Sequence, residues 1–154
     1  MIKRDVKYKN PFTDEDIEET LYFNINLAEA IKMEMYEDLS GNLTKMGNHT
    51  ELEMRDPEAK KSVFSFFERL VEVAWGVKSE DGINFVKDPE KTRRFMTSEA
   101  YSALLEWLLL SDNAAENAAE FTNGLFPPAM MEKAVELAEE QKKKESGEEN
   151  QIEA

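Results

Sequence analysis

Cysteine is absent from this 154-residue chain and histidine occurs once, at His49. The first absence removes disulfides, thiolate metal sites and cysteine nucleophiles. The second leaves an imidazole with neither a thiol nor another imidazole to work with, so triad and metal chemistry have no partners. His49 stands beside Gly47 and Asn48 in a polar stretch and reads as a solvated loop residue. Glycine is scarce too, with six in all, and neither the dinucleotide fingerprint nor the P-loop pattern occurs. No cofactor is therefore expected. No segment approaches the ~20 consecutive apolar residues of a membrane span. Met1 to Asn10 mixes charge with single apolar residues and lacks the apolar run of a signal peptide. The expected location is cytoplasmic, and the glycosylation tripeptides at Asn42 and Asn48 are read as chance.

Positive charge is the next shortage: 19 Lys and Arg stand against 33 Asp and Glu, a formal net charge of -14. Such a field repels phosphate backbones and anionic lipid heads, so neither nucleic acid nor a membrane surface is an expected partner. Arg93-Arg94 and Lys142-Lys143-Lys144 are short basic runs embedded among acids and read as solvated faces. The run Asp14, Glu15, Asp16, Glu18, Glu19 lacks the glycine and the closing bidentate glutamate of a calcium loop, so no metal site is expected. Carboxylates are otherwise too common for any pair of them to signal catalysis. The chain reads as a binder of polypeptide and not as an enzyme.

What the sequence does contain is apolar material: 41% hydrophobic residues, with nine Phe and two Trp, enough for a core in one domain of this length. Alternation over Lys3 to Lys9 and Thr20 to Asn26, separated by the turn formers Asn10 to Asp16, predicts a β-hairpin. Asn26 with Glu29 three residues on is a helix start, with Leu27, Ile31 and Met35 on one face as far as Tyr36; Ser40-Gly41-Asn42 then reads as loop. Asp56-Pro57-Glu58 starts a helix to about Trp75, with Gly76 as a left-handed stop. A turn at Ser79 to Gly82 precedes a short extended segment with Ile83, Phe85 and Val86. Asp88-Pro89-Glu90 starts a short helix to Met96, and Thr97 or Ser98 caps another to Leu110. Ser111-Asp112 opens an Ala-rich helix that stops at Gly124, Pro127-Pro128 breaks it, and a last helix runs from Ala129 to Lys144. The composition from Glu145 to Ala154 predicts disorder.

The expected fold is mainly α (α+β): a β-hairpin over 1–26, a helical core over 27–128 in a compact bundle of about five to six helices, a C-terminal helix over 129–144 and a disordered acidic tail over 145–154. The helix from Ser98 to Leu110 carries Tyr101, Leu104, Leu105 and Leu108 on one face and Ala103, Trp107 and Leu110 on another. A helix apolar nearly all round is either central in its bundle or shared with a partner. On the second reading, Trp107, Leu110, Phe121, Leu125 and Phe126 surface as a patch for an apolar segment of another chain.

The order of segments carries more than any one of them. Tyr22-Phe23-Asn24-Ile25-Asn26-Leu27-Ala28-Glu29-Ala30 with Met33-Glu34-Met35 comes first, followed by Ala74-Trp75-Gly76-Val77-Lys78-Ser79-Glu80-Asp81-Gly82 with Phe85. Then come Thr97-Ser98-Glu99-Ala100-Tyr101 and Ala119-Glu120-Phe121-Thr122-Asn123-Gly124-Leu125-Phe126-Pro127. From Lys3 to Met131 this series resembles the tail assembly chaperones of long-tailed bacteriophages. The resemblance implies a protein of the host bacterial cytoplasm that binds the tape measure protein, keeps it soluble, and helps tail tube subunits polymerise around it before being lost from the virion. It also implies the major tail tube protein and a longer, frameshifted form of the same chain as further partners. Lys142-Lys143-Lys144 is where an adenine-rich slip site would lie. Two other readings stay open: an acidic inhibitor that mimics nucleic acid, and a structural adaptor retained in the virion.

Overall fold

A computed structural model describes the backbone of residues 1–47 and 55–153, and the side chains of residues 1–47 and 55–147. His49 and the Asn48 tripeptide lie outside the described residues.

The N-terminal hairpin forms as expected but in a different register of ends. Strand β1 spans Ile2–Lys9 and β2 spans Asp16–Phe23, antiparallel, with Ile2 opposite Phe23 and Lys9 opposite Asp16. The second strand thus starts four residues before Thr20 and ends before Asn26. Two backbone bonds, Asn10 N–H to Glu15 O and Asp14 N–H to Asn10 O, each 2.8 Å, confine the turn and leave Asp16 to Glu19 free to pair. At the other end Asn26 is committed to capping helix α1, Leu27–Glu37: its side chain accepts from Glu29 N–H and its own N–H donates to the Glu29 carboxylate.

Asp38, in the left-handed region at φ 49°, ends α1. The expected loop at Ser40-Gly41-Asn42 is instead helix α2, Leu39–Gly47. Glu34 explains the restart: its carboxylate accepts from Ser40 N–H at 2.8 Å and from Ser40 Oγ at 2.7 Å, which satisfies a donor that a new helix would otherwise leave bare.

Helix α3, Pro57–Ala74, stops one residue short of Trp75 because Trp75–Lys78 is strand β3, with Trp75 opposite Phe23 and Gly76 opposite Tyr22. Gly76 is therefore not a left-handed helix stop. Its missing side chain serves the sheet: a Cβ there would lie 2.5 Å from the Phe85 ring and 2.8 Å from the Val86 carbonyl oxygen. The glycine at positive φ is Gly82, in the turn that leads to strand β4, Phe85–Val86. The result is a four-stranded antiparallel sheet in the order β1-β2-β3-β4, where two strands and an extended segment were expected.

Asp88 caps α4, Pro89–Phe95, and Ser98 caps α5, Glu99–Leu105. Residues Glu106–Leu110 continue α5 as a π-helical segment, and α6, Ala114–Leu125, and α7, Pro128–Glu153, complete the order. Seven α-helices are present among the described residues. Helix α7 runs through residues 145–153, where disorder was expected; Glu, Gln and Lys are good helix formers, and the one glycine there, Gly147, is too little to stop it.

The chain divides into two compact units. The first, Met1–Ile25 with Phe64–Leu125, holds the sheet, with α5 and α6 against β1 and a core that includes Leu21, Phe23, Leu70, Val71, Leu104, Leu108 and Phe121. The second, Asn26–Val63 with Phe126–Ala154, is built on α1 packed against α7 and α2. Ala30 of α1 and Ala134 and Ala138 of α7 are buried there, small side chains at positions where two helices meet.

Candidate interaction surface

The inner face of the sheet is built on aromatics. Trp75 stacks on Phe95 with ring centroids 4.4 Å apart and planes 3° apart, and Phe95 meets Tyr101 edge-on at 5.7 Å. On the neighbouring strand, Phe23 meets Phe121 edge-on at 5.2 Å, and Phe121 meets Trp107 at 6.5 Å. Since Trp75 and Phe23 are register partners, the two series share one sheet face. The helix capped at Ser98 is thus largely central, as one of its two readings required: Tyr101, Leu104 and Leu108 are all buried.

Its last turn departs from an ordinary helix. Ser111 N–H reaches back five residues to the Glu106 carbonyl at 2.9 Å, the wide turn of a π-helix. The widening frees the Trp107 carbonyl, which accepts from Ser111 Oγ and from Asn117 Nδ2 of α6, both at 2.9 Å. Trp107 is thereby held half-buried beneath Arg4, whose guanidinium lies 4.0 Å from the indole centroid.

This arrangement separates the five residues expected to form a partner-contact patch. Leu110 is 79% exposed at the end of the π turn and Trp107 is partly accessible. Phe121, at 1% exposure, and Leu125 are core residues of the first unit. Phe126 is buried and belongs to the second. The five do not surface together, because Phe121 packs on Phe23 of the sheet and Leu125 and Phe126 are buried. Core and contact surface share one composition, so periodicity alone did not divide them.

Besides Leu110, the exposed large apolar side chains among the described residues are Met1, Phe12, Tyr36, Phe64 and Ile83. Phe12, in the β1–β2 turn, is 95% exposed, and Ile83, in the β3–β4 turn, is 81% exposed. In the sequence Phe12 reads only as part of the turn Asn10 to Asp16. The available signal was that it falls outside the alternation of both strands, so neither sheet face claims it.

Two phenols are displaced from ordinary behaviour. Burial, helped by the negative charge of Glu68, pushes the Tyr101 hydroxyl up to about 12, and that hydroxyl has no hydrogen-bond partner among the described residues. Tyr8 is raised to about 12 first by its 2.7 Å hydrogen bond to Glu19, then by burial and by the same carboxylate's charge. Among the described residues no group of three His, Asp or Glu side chains is placed to hold a metal, and no helix is long and apolar enough to cross a membrane.

The family model described as phage tail assembly chaperone matches residues 1–154, the whole chain. The chain belongs to that family. No curated protein and no solved structure matches it significantly. As a phage tail assembly chaperone it acts during assembly of the particle in the host, and membership points to a non-enzymatic role. The resemblance that rested on the order of segments from Lys3 to Met131 is now extended over residues 132–154 as well.

Proposed function

We propose that this chaperone binds the tape measure protein, holds it soluble, and assists polymerisation of the tail tube around it, without remaining in the mature virion. The whole-chain family match is the observation that carries the reading. The net charge of -14 supports it physically. An acidic coat around a bound apolar segment keeps the complex dispersed through self-repulsion, whereas a neutral complex would associate further. The host cytoplasm is the place of action on this reading, and a longer frameshifted product and the major tail tube protein are additional partners.

Co-expression tests it directly. With this chain present, the tape measure protein is expected in the soluble fraction and in a complex that survives purification. Equal insolubility with and without the chain overturns the reading. Mass spectrometry of purified particles distinguishes a chaperone, absent from them, from a retained adaptor. A heptameric slip site overlapping a shifted reading frame near the codons of Lys142 to Lys144 is the condition for the longer product.

A further inference from the structure

The β1–β2 turn holds an aromatic ring in the open. Phe12 is 95% exposed, yet the backbone beneath it is closely specified. Asn10 N–H donates to Glu15 O, Asp14 N–H donates to Asn10 O, Phe12 N–H donates to Asn10 Oδ1 at 2.9 Å, and Asp14 takes φ 59°. None of these interactions uses the Phe12 ring. Its backbone N–H serves the turn, which any residue but proline supplies. Folding therefore gives no reason for an aromatic here, and exposing one to water is unfavourable.

The tip is acidic on balance. Asp14, Glu15, Asp16 and Glu18 are exposed, Lys9 is ion-paired to Asp16 at 3.4 Å and Lys7 stands opposite Glu18, which leaves Asp14 and Glu15, close to Phe12 in sequence, as the excess charge. An exposed aromatic beside such carboxylates complements an apolar pocket with a basic rim. It opposes a second copy of itself, since two such tips would bring like charges together.

We propose that Phe12 is an anchor that enters an apolar pocket rimmed by Lys or Arg on the tape measure protein, with Asp14 and Glu15 meeting that rim. This rests on the proposed function, and adds to it where and by what chemistry contact is made. The turn pre-organises the anchor, so little ordering cost falls on binding.

The test uses the full chain co-purified with the tape measure protein, comparing wild type, Phe12→Ser, Phe12→Trp, Asp14→Asn/Glu15→Gln, and Ile83→Ser as a control of similar exposure. Phe12→Ser should weaken the complex at least about tenfold, as loss of an aromatic anchor does, while Phe12→Trp should stay within about threefold of wild type. The double acid variant should weaken it about threefold at low salt, with the difference lost at high salt. Unchanged circular dichroism and thermal unfolding of Phe12→Ser should accompany the loss. If wild type is captured and Phe12→Ser is captured equally, the anchor is wrong and the proposed function stands. If wild type is not captured, both fall. An equal loss in Ile83→Ser, or an effect of Phe12→Ser on self-association alone, also overturns the anchor.

Discussion

Arg4 lies over Trp107, its guanidinium 4.0 Å from the indole centroid, and this pair joins the N-terminal edge strand to the π-helical segment. Trp107 also meets Phe121. Trp107→Ala removes both contacts and should cost about 3 kcal/mol in denaturant unfolding. Arg4→Met keeps most of the packing stem and removes a buried Nε that has no hydrogen-bond partner among the described residues, so its cost should not exceed about 1 kcal/mol. A larger loss in Arg4→Met than in Trp107→Ala would contradict this ordering.

Gly76 and Gly124 invite opposite outcomes from one substitution. Alanine at Gly76 would strike the Phe85 ring and the Val86 carbonyl oxygen, and the second cannot swing away; Gly76→Ala should cost about 1–3 kcal/mol. Truncating Phe85 as well should not restore stability fully. At Gly124 the new Cβ would lie 2.7 Å from Ile2 Cδ1 and 2.8 Å from Ile2 Cγ1, so this β-branched side chain has to change rotamer, while the backbone is untouched and helix propensity favours alanine. The two effects offset, and Gly124→Ala should fall within about 1 kcal/mol of wild type. Paired chemical denaturation curves check both.

The stack of Trp75 on Phe95 is the tightest aromatic contact of the sheet's inner face. Phe95→Ala should cost about 3–4 kcal/mol. Because Trp75 loses its covering ring, its fluorescence should shift to the red in the folded state, before any unfolding. An unshifted spectrum with full loss of stability would mean that the cost arises elsewhere.

Alkaline pH should destabilise the fold through Tyr101. Its folded value of about 12 lies above the ordinary 10.0, so between these limits the folded state binds more protons than the unfolded one. The stability contributed is complete below pH 10.0 and is lost as pH rises toward about 12. Tyr101→Phe removes the buried hydroxyl, which has no hydrogen-bond partner among the described residues, so it should be neutral or stabilising by up to about 1 kcal/mol and should flatten this alkaline loss. Tyrosinate absorbance during a pH titration, followed beside circular dichroism, gives the readout.

Local chemistry was legible in the sequence wherever one residue type satisfies one backbone need. Asn26 with Glu29, Asp88 before Pro89, and Ser98 all cap the helices they were expected to cap. The turn at Ser79 to Gly82 and the hairpin were legible for the same reason. The end of α3 was not, since Trp75 and Gly76 suit a helix end and a strand equally until Phe23 and Tyr22 are brought alongside. Nor was α2, whose start depends on a carboxylate six residues earlier, outside any local pattern.

The sequence by itself determined the class of protein: the order of segments resembles that of phage tail assembly chaperones and the family model matches residues 1–154, and neither depends on packing. Only the tertiary structure decided which apolar residues are core. Phe121 and Leu125 went inside, while Leu110 and Phe12 stayed out. Burial is a property of three-dimensional neighbours, and a helix that is apolar all round carries no mark of which side meets the sheet. The same limit hid Phe12, whose exposure follows from a turn that spends its hydrogen bonds on backbone and leaves the ring with nothing to cover it.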